Sequence, residues 1–376
     1  MVENPRAWDV RMMQLALRLA RRGLGFVEPN PAVGAVICRR GRIVGRGWHR
    51  AFGGPHAEVE AIREAAGQAR GGTLYVTLEP CCHTGKTGPC TEAILAAGIK
   101  RVVAAMPDPN PLVGGQGLRR LRRAGVEVTT GIGQRQAERL TAPFRKWITT
   151  RRPYVTLKWA QSIDGCVADR NGRSKWISSP PARQLVHQLR GPVDAIMVGI
   201  GTVLADDPML TARPAHSGDR RRVPQRLILD STCRLPLQSH LAQTARNIPV
   251  AVFHRAHLSP AAHRRRRWLE ELGVQCRAIP AMGRHRLDLR RILQVLGAEG
   301  CSQVLVEGGP QVLGDFLARH LADQAWVFVA PRILGDDLAR HAVAGIPVAN
   351  LNQCAGATVQ SVRRCGPDLW LRLNLV

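Results

Sequence analysis

Apolar residues in the first 150 positions recur alternately at helical and at strand spacing. A helical stretch opens at Asn4 and carries apolar residues on one face. The elements predicted after it are a hairpin (32–37 and 43–46), helices at 56–66, 91–97 and 118–124, and strands at 74–77, 101–105 and 126–130. Strands that alternate with helices predict an α/β layer of parallel character after the opening hairpin.

A second unit is predicted to begin near Pro153, after the polar stretch 149–152. Its predicted strands, with helices between several of them, are 154–159, 195–198, 227–229, 250–253, 274–278, 304–306 and 326–329. A chain of 376 residues is too long for one ordinary domain. We therefore expect two α/β domains, at 1–150 and 153–376.

The composition is that of a globular protein, with 45% hydrophobic and 22% charged residues. No apolar run approaches the roughly 18 residues of a membrane span, so no membrane segment is predicted. The first nine residues are charged and lack an apolar signal core. We expect a cytoplasmic protein.

The formal net charge is +26, and only five of the 54 basic residues are lysines. Arginine forks suit phosphate, which points either to RNA or to a phosphorylated small molecule. The arginine runs at 119–123, 220–222 and 264–267 are dispersed, and no aromatic residues interleave them. We expect an arginine bias spread over solvated faces and no nucleic-acid partner.

A group of metal-ligand residues stands in the first unit. His56 and Glu58 are at a predicted helix start, and a Pro-Cys loop carrying Cys81 and Cys90 follows a predicted strand. One imidazole and two thiolates can hold zinc and leave its fourth position for water, whose pKa the ion lowers. Glu58 is then the proton shuttle, and this arrangement is the signature of zinc nucleobase deaminases.

Two alternatives remain open at this site. A closed structural zinc site could use His83 or Cys82 as a fourth ligand, although Glu58 would then have no task. Cys82 could also replace Cys81, but Pro80 at a strand end presents Cys81 first. The seven cysteines outside this loop are scattered singly, and we expect them to be buried, reduced thiols.

The loop 79–90 reads EPCCHTGKTGPC, with NPAVGAV at 30–36 and GPHAEV at 54–59. This combination resembles the family of bifunctional riboflavin-biosynthesis deaminase/reductases, RibD. The resemblance implies a cytidine-deaminase-like αβα layered domain, in which Asn30 hydrogen-bonds the pyrimidine; Asn30 also reads simply as a turn residue. Gly88 stands where that family usually has proline, which loosens the loop without removing a ligand.

The second unit carries four further segments similar to the reductase half of that family: 158–165, 174–180, 193–208 and 210–213. The match therefore covers nearly the whole chain and implies a dihydrofolate-reductase-like α/β domain that uses NADPH. Independently of the resemblance, residues 304–310 read as a strand, a carboxylate, two glycines and a helix start. Such glycines expose backbone N–H groups to an anion, so we place the pyrophosphate there. The Rossmann fingerprint is absent.

The resemblance also implies roles for individual residues. Substrate binding falls to Ser174, Arg190, Leu210, Arg213 and Glu307, with Lys158, Asp206 and Glu307 as candidates for substrate activation. Cofactor binding falls to Ala160, Trp176, Thr202, Asp206, Ser231 and Gly309. Each of these residues, considered alone, also has a non-functional interpretation: Arg190 as a solvated residue at a helix end, Trp176 as a core aromatic residue and Asp206 as a helix cap.

The predicted function is two successive reactions on one phosphorylated pyrimidine, with one zinc ion per chain and NADPH. The resemblance implies the substrate 2,5-diamino-6-(ribosylamino)pyrimidin-4-one 5′-phosphate and a homo-oligomer. One rival hypothesis is an RNA-editing zinc deaminase with an accessory basic domain. The other is a non-catalytic, zinc-stabilised scaffold that binds nucleic acid.

Overall fold

The computed structural model describes residues 5–83, 88–212, 223–282 and 286–375. The chain divides into two compact units, residues 1–151 and residues 152–376. Each unit contains a sheet with parallel strand pairs and helices between the strands, so the predicted α/β class is confirmed.

The first unit contains six helices and five strands among its described residues. The helices are α1 (Pro5–Ala20), α2 (Ala57–Ala65), α3 (Cys90–Ala96), α4 (Gln116–Arg123), α5 (Gln134–Leu140) and α6 (Ala142–Thr150), and the strands are β1 (Gly34–Arg39), β2 (Arg42–Trp48), β3 (Thr73–Val76), β4 (Arg101–Ala104) and β5 (Glu127–Thr130). The sheet order is β2-β1-β3-β4-β5. Strand β1 is antiparallel to β2 and β3, whereas β3, β4 and β5 are mutually parallel.

Side chains alternate between the two faces of this sheet, and each face has its own core. In β1, Ala35 and Ile37 pack on the face covered by α2, α3 and α4, whereas Val36 and Cys38 pack on the face covered by α1 and α5. The first unit is therefore an αβα sandwich. Strand β1 begins and ends two residues later than predicted, because its pairing with β2 continues past Ile37 to Arg39.

Two glycines let α2 approach the sheet closely. A Cβ atom at Gly45 would overlap the carbonyl oxygen of Ala61, and one at Gly47 would overlap the carbonyl oxygen of Ala57. The facing residues of α2 are alanines that are fully buried. Helix α2 therefore lies with its backbone almost against β2, which fixes the height of its first turn above the sheet.

The second unit is built around nine strands. The sheet strands are β6 (Tyr154–Gln161), β8 (Ala195–Gly199), β9 (Gln225–Leu229), β10 (Val250–Arg255), β11 (Gln275–Ile279), β14 (Gln303–Val306), β15 (Gln324–Val329), β17 (Ala357–Cys365) and β18 (Asp368–Leu375). The helices are α7 (Pro180–Arg190), α8 (Ile200–Asp206), α9 (His240–Gln243), α10 (Pro260–Glu271), α11 (Leu289–Ala298) and α12 (Pro310–Ala318). Short pairs join β7 (Cys166–Ala168) to β16 (Arg340–His341) and β12 (Ala281–Met282) to β13 (Arg286–Leu287).

The sheet order of the second unit is β11-β10-β9-β8-β14-β6-β15-β18-β17. The seven strands from β11 to β15 are parallel, and an antiparallel hairpin, β17–β18, closes one side. The sequence predictions contain no strand beyond residue 329. Leu369, Leu371, Leu373 and Leu375 alternate there as a strand requires, but β17 beside them is largely exposed and polar.

All ten cysteines are free thiols. Cys38, Cys166 and Cys233 are buried as expected. Cys276, Cys301 and Cys365 are half-buried and Cys354 is exposed, so the expectation of full burial is wrong for these four. Among the described residues, no helix is both long and apolar enough to cross a membrane.

We expect Gly47→Ala to destabilise the first unit by about 1–3 kcal/mol, because the added methyl group meets the backbone of α2 and forces the helix away from the sheet. The amount of zinc bound per chain should also decrease, since the ligand His56 directly precedes α2. Chemical unfolding and zinc content of the purified chain measure both effects. Gly201→Ala is the control, because it lies in the second unit and no atom of the described residues lies within 4 Å of a Cβ built there. Wild-type stability and zinc content in Gly47→Ala would show that this close packing is dispensable.

Candidate functional site

Three potential metal ligands meet at one edge of the first sheet. Because β1 is antiparallel to both β2 and β3, those two strands run in the same direction and end at the same edge. His56 follows β2 as the last extended residue before α2, Cys81 lies in the loop after β3, and Cys90 begins α3.

The ligand atoms of these residues are close enough to share one ion. His56 Nδ1 lies 3.2 Å from Cys90 Sγ and 3.5 Å from Cys81 Sγ, and the Cys90 backbone N–H donates to Cys81 Sγ at 3.3 Å. The three ligand atoms lie within 4.8 Å of one another. One nitrogen and two sulfurs form a donor set that suits zinc and leaves a fourth position open. Of the described histidines, cysteines and carboxylates, only these three form such a group, so neither Cys82 nor His83 belongs to it.

Glu58 lies in the first turn of α2, and its residue is only 3% exposed. Burial raises the pKa of this carboxyl to about 7, which suits a group that gains and loses a proton near neutrality. Hydrogen bonds from Cys90 and His56 lower the pKa of Cys81 to about 4. The pKa of Cys90 is raised by its hydrogen bond with Cys81 and by burial.

Asn30 is held beside the metal ligands by a histidine that the sequence predictions did not include. Its Nδ2 lies 3.3 Å from His49 Nε2, and the other ring nitrogen of His49 lies 3.0 Å from the Pro55 carbonyl oxygen. Since a carbonyl only accepts, Nδ1 of His49 carries the proton and Nε2 accepts from Asn30. The His49 and His56 rings meet edge to face, with centroids 5.4 Å apart. His49 follows β2 with no motif around it, so spacing does not mark it.

Glu79 ties the metal loop to the segment that follows β4. Its Oε2 accepts the backbone N–H of Asp108 at 2.9 Å and of Gly115 at 2.8 Å, while its Oε1 accepts those of Gly117 at 2.8 Å and Leu118 at 3.2 Å. Glu79 is buried, so these four charge-assisted bonds replace its hydration. The carboxylate stands two residues before Cys81, and the sequence predictions gave it no role.

In the second unit, Lys158, Arg190 and Glu307 form one ion-pair cluster. Arg190 donates to both carboxylate oxygens of Glu307, from Nε at 2.7 Å and from Nη2 at 2.9 Å, and to the Thr211 carbonyl oxygen from Nη1 at 3.1 Å. Lys158 Nζ lies 3.7 Å from Glu307 Oε2. Burial lowers the pKa of Lys158, whereas Arg190 and Lys158 hold the pKa of the buried Glu307 carboxyl down at about 2. Arg190 is thus not a solvated helix end.

Three closely packed glycines lie where the parallel strands β8 and β14 end side by side. A Cβ at Gly309 would lie 3.4 Å from Thr202 Oγ1, and a Cβ at Gly199 or Gly308 would press on the side chain of Val312. Gly309 directly precedes α12, whose first turn presents backbone N–H groups. The turn therefore brings a hydroxyl and backbone N–H donors together, and these are groups that bind phosphate oxygens.

The segment that carries Ser174 and Trp176 lies near the end of α8. Lys175 Nζ is 3.4 Å from the Asp206 carbonyl oxygen and 3.9 Å from its carboxylate, and Ser174 is half-buried. Trp176 is 60% exposed with the Arg183 guanidinium 4.4 Å from its ring, so the alternative of a core aromatic is wrong.

The other predicted residues are spread along the same sheet. Ala160 lies on β6 two residues beyond Lys158 and therefore on the same face. Leu210 is buried, with a backbone φ of 49°, and Ser231 is half-buried in the loop after β9. Arg213 lies outside the described residues.

Comparison with known proteins accounts for both units. A family model described as the cytidine and deoxycytidylate deaminase zinc-binding region matches residues 6–106, and one described as the RibD C-terminal domain matches residues 153–371. The riboflavin biosynthesis protein RibD of Aquifex aeolicus is 43% identical over 322 residues, which cover 86% of each chain.

Two solved structures match nearly the whole chain. Acinetobacter baumannii RibD superposes with a TM-score of 0.86 at 39% identity, over 99% of both chains. A Thermotoga maritima protein described as a diaminohydroxyphosphoribosylaminopyrimidine deaminase/5-amino-6-(5-phosphoribosylamino)uracil reductase superposes with a TM-score of 0.85 at 34% identity, over 99% of this chain and 100% of that one. These matches confirm the family resemblance and give no support to the two rival hypotheses.

We expect Glu79→Gln to destabilise the first unit by about 2–3 kcal/mol, because the amide's NH₂ group would face backbone N–H donors that the carboxylate now satisfies. The metal loop should loosen and zinc should dissociate faster in competition with a chelator. Glu64→Gln is the control, since among the described residues Glu64 pairs with Arg46 at 3.5 Å on the exposed surface, and it should leave both measurements unchanged. Equal zinc dissociation rates in wild type and Glu79→Gln would contradict this role.

Proposed function

The chain belongs to the RibD family of riboflavin-biosynthesis proteins, and on that premise we propose that its two units act in series on one pyrimidine phosphate. The first unit removes the amino group of 2,5-diamino-6-(ribosylamino)pyrimidin-4-one 5′-phosphate by hydrolysis. The second reduces the ribosyl group of the product to a ribityl group with NADPH. The observation that carries the proposal is the buried Glu58 carboxyl, which lies two residues after the potential ligand His56. His56 forms a three-ligand group with Cys81 and Cys90.

In the deaminase, His56, Cys81 and Cys90 hold the zinc ion. A zinc ion bound there supplies a Lewis acid that lowers the pKa of a water molecule toward neutrality. Glu58 takes the proton that this water loses as its oxygen bonds to the ring carbon bearing the amine. The carboxyl gives this proton to the ring nitrogen. It then takes the remaining proton of the added hydroxyl and gives it to the amine, so that the C–N bond breaks, ammonia leaves and the ring carbon keeps the oxygen as a carbonyl. A pKa near 7 lets Glu58 act in both directions.

Asn30 orients the pyrimidine in this pocket. Because Nδ2 of Asn30 is directed toward His49, its amide is fixed in one rotamer before the substrate arrives. Preorganised hydrogen-bonding groups avoid a reorganisation cost at the moment of reaction.

In the reductase, Thr202 and the Gly309 turn hold the pyrophosphate of NADPH, which supplies the hydride to C1′ of the sugar when bound. Trp176, Asp206, Ala160 and Ser231 complete the cofactor site. Lys158 donates the proton that the sugar oxygen takes up when the C1′–O4′ bond opens, because a buried ammonium releases a proton more readily than a solvated one. Glu307 keeps Lys158 charged before the reaction and positions it, while Ser174, Leu210, Arg190 and Arg213 bind the rest of the substrate.

We expect Glu58→Gln to lower ammonia release from the diaminopyrimidine phosphate at least about 100-fold, because the amide cannot carry the proton. NADPH oxidation, followed at its absorbance band, should vanish with this substrate and return when the deaminated compound is supplied. Glu64→Gln on the same helix is the matched control, since among the described residues the partner of Glu64 is Arg46, on the exposed surface. Zinc content should stay at the wild-type value; wild-type ammonia release from the Glu58→Gln protein would refute the assignment.

The Lys158→Met variant should keep the first reaction and lose the second. Ammonia release from the diaminopyrimidine phosphate should continue at the wild-type rate, whereas NADPH oxidation with the deaminated compound should fall at least about 100-fold, since the proton donor is gone. NADPH binding, measured by its fluorescence, should persist. Lys100→Met, which removes an exposed lysine, should change neither rate. Full reduction by Lys158→Met would exclude Lys158 as the donor.

A further inference from the structure

Arg226, the second residue of β9, is a fully buried arginine that the proposed reaction does not use. Its Nη1 donates to the Met209 carbonyl oxygen at 3.4 Å and to Thr244 Oγ1 at 2.8 Å. Its Nη2 donates to the carbonyl oxygens of Thr244 at 3.1 Å and Ile248 at 2.5 Å. No carboxylate of the described residues pairs with this guanidinium, and burial alone lowers its pKa to about 10. Arg226 is therefore charged at neutral pH.

Packing alone does not account for this arginine. A charge that is buried without a counter-ion is costly, and apolar side chains of similar volume often fill such a position without loss of stability. The next two residues of β9, Leu227 and Ile228, are fully buried and apolar, so an apolar residue would suit position 226 as well. The reason for a guanidinium must lie in the oxygen atoms that it binds.

One of these oxygens belongs to the segment 207–211, which follows α8. Two residues of the segment, Asp207 and Leu210, have left-handed backbone conformations, with φ of 39° and 49°. Residues other than glycine adopt such conformations only where surrounding contacts hold them. At the start of the segment, the backbone N–H of His240 donates to Asp207 Oδ1 at 2.9 Å. The rest of the segment needs further contacts.

Two arginines hold the backbone on either side of Leu210. Arg226 binds the carbonyl oxygen of the preceding residue, Met209, and Arg190 binds that of the following residue, Thr211, at 3.1 Å. Leu210 itself is buried in the apolar cluster on the same face of the sheet as Arg226. The conformation at Leu210 is thus fixed by its burial and by two guanidinium groups.

We infer that Arg226 is a positioning residue of the reductase, which holds the backbone around Leu210 in the conformation that binds the substrate. This inference rests on the proposed reductase function, in which Leu210 contacts the substrate. Arg226 is buried and acts only through this backbone. Its loss should therefore weaken the binding of substrate and transition state equally, which raises KM and leaves kcat unchanged.

Steady-state oxidation of NADPH by the full chain, with the deaminated compound as substrate, tests this role. Arg226→Met should raise KM for that compound about 10-fold and keep kcat within about twofold. Arg226→Lys should give an intermediate KM, because an ammonium keeps the charge but lacks the planar fork that spans two segments. NADPH affinity, measured by fluorescence, and ammonia release by the first unit should stay at their wild-type values.

A second variant leaves the arginine in place. Thr244→Val removes the hydroxyl that accepts from Nη1 of Arg226 and keeps the volume of the side chain. The guanidinium is then held less firmly, so KM should rise about threefold at constant kcat. If Arg226→Met does not fold, Thr244→Val decides alone.

Ile292→Ala is the control for a loss of stability without a loss of positioning. Ile292 is fully buried on α11, in the core on the opposite face of the sheet from Leu210. This variant should lower the midpoint of chemical unfolding and leave KM unchanged.

A wild-type KM in Thr244→Val and in every folded variant at position 226 would overturn the role of Arg226. A KM that rises as much in Ile292→Ala would overturn it too, because KM would then follow stability. A wild-type chain that oxidises no NADPH with the deaminated compound would instead overturn the proposed reductase function.

Discussion

The common direction of the strands that precede the site residues is the constraint on which both candidate sites depend. Strands that run the same way end at the same edge of a sheet, so the segments after them meet there even when they are far apart in sequence. In the first unit this brings the loops after β2, β3 and β4 together, with His56, Cys81 and Asp108 on them. In the second, the same constraint aligns Gly309, Thr202 and Ser231 along one edge. The two units carry different functional groups, but in both units the direction of the strands brings those groups together.

At the edge of the first sheet, close packing and buried charge give the side chains the properties that a catalytic site requires. The glycines of β2 allow α2 to lie against the sheet, so Glu58 is sealed from water and its pKa rises. Glu79, buried only 21 residues later, stays satisfied because four backbone N–H groups surround it. The two carboxyls therefore have different roles. Glu58, which lacks such a set of N–H donors, is suited to carry a proton, whereas Glu79, which has them, is suited to hold loops in place.

Local patterns predicted much of this from sequence, and long-range partners set the limit. The α/β class, the His-x-Glu turn and the glycines before α12 depend on neighbours within a few residues, which spacing reveals. Asn30 and His49 are 19 positions apart, Glu79 reaches residues 29 to 39 positions away, and Arg190 meets Glu307 across 117 positions. Those contacts depend on sheet order, which hydrophobic periodicity does not contain. The β17–β18 hairpin was missed although its alternation was present, because exposed polar residues dominate β17.

Arg190 shows how a role implied by resemblance changes when its contacts are known. As a substrate-binding residue it is expected to offer its fork to a phosphate, yet three of its N–H groups already bond Glu307 and Thr211. A guanidinium has five N–H groups, so two remain for a substrate, and they cannot form the Nε–Nη2 fork that Glu307 occupies. With Lys158 and Arg190 both charged against one Glu307, the cluster keeps a net positive charge, and burial strengthens its field. Attraction of an anionic substrate therefore comes from the cluster as a unit, and the principal geometric task of Arg190 is to fix the Glu307 carboxylate in the position from which it holds Lys158.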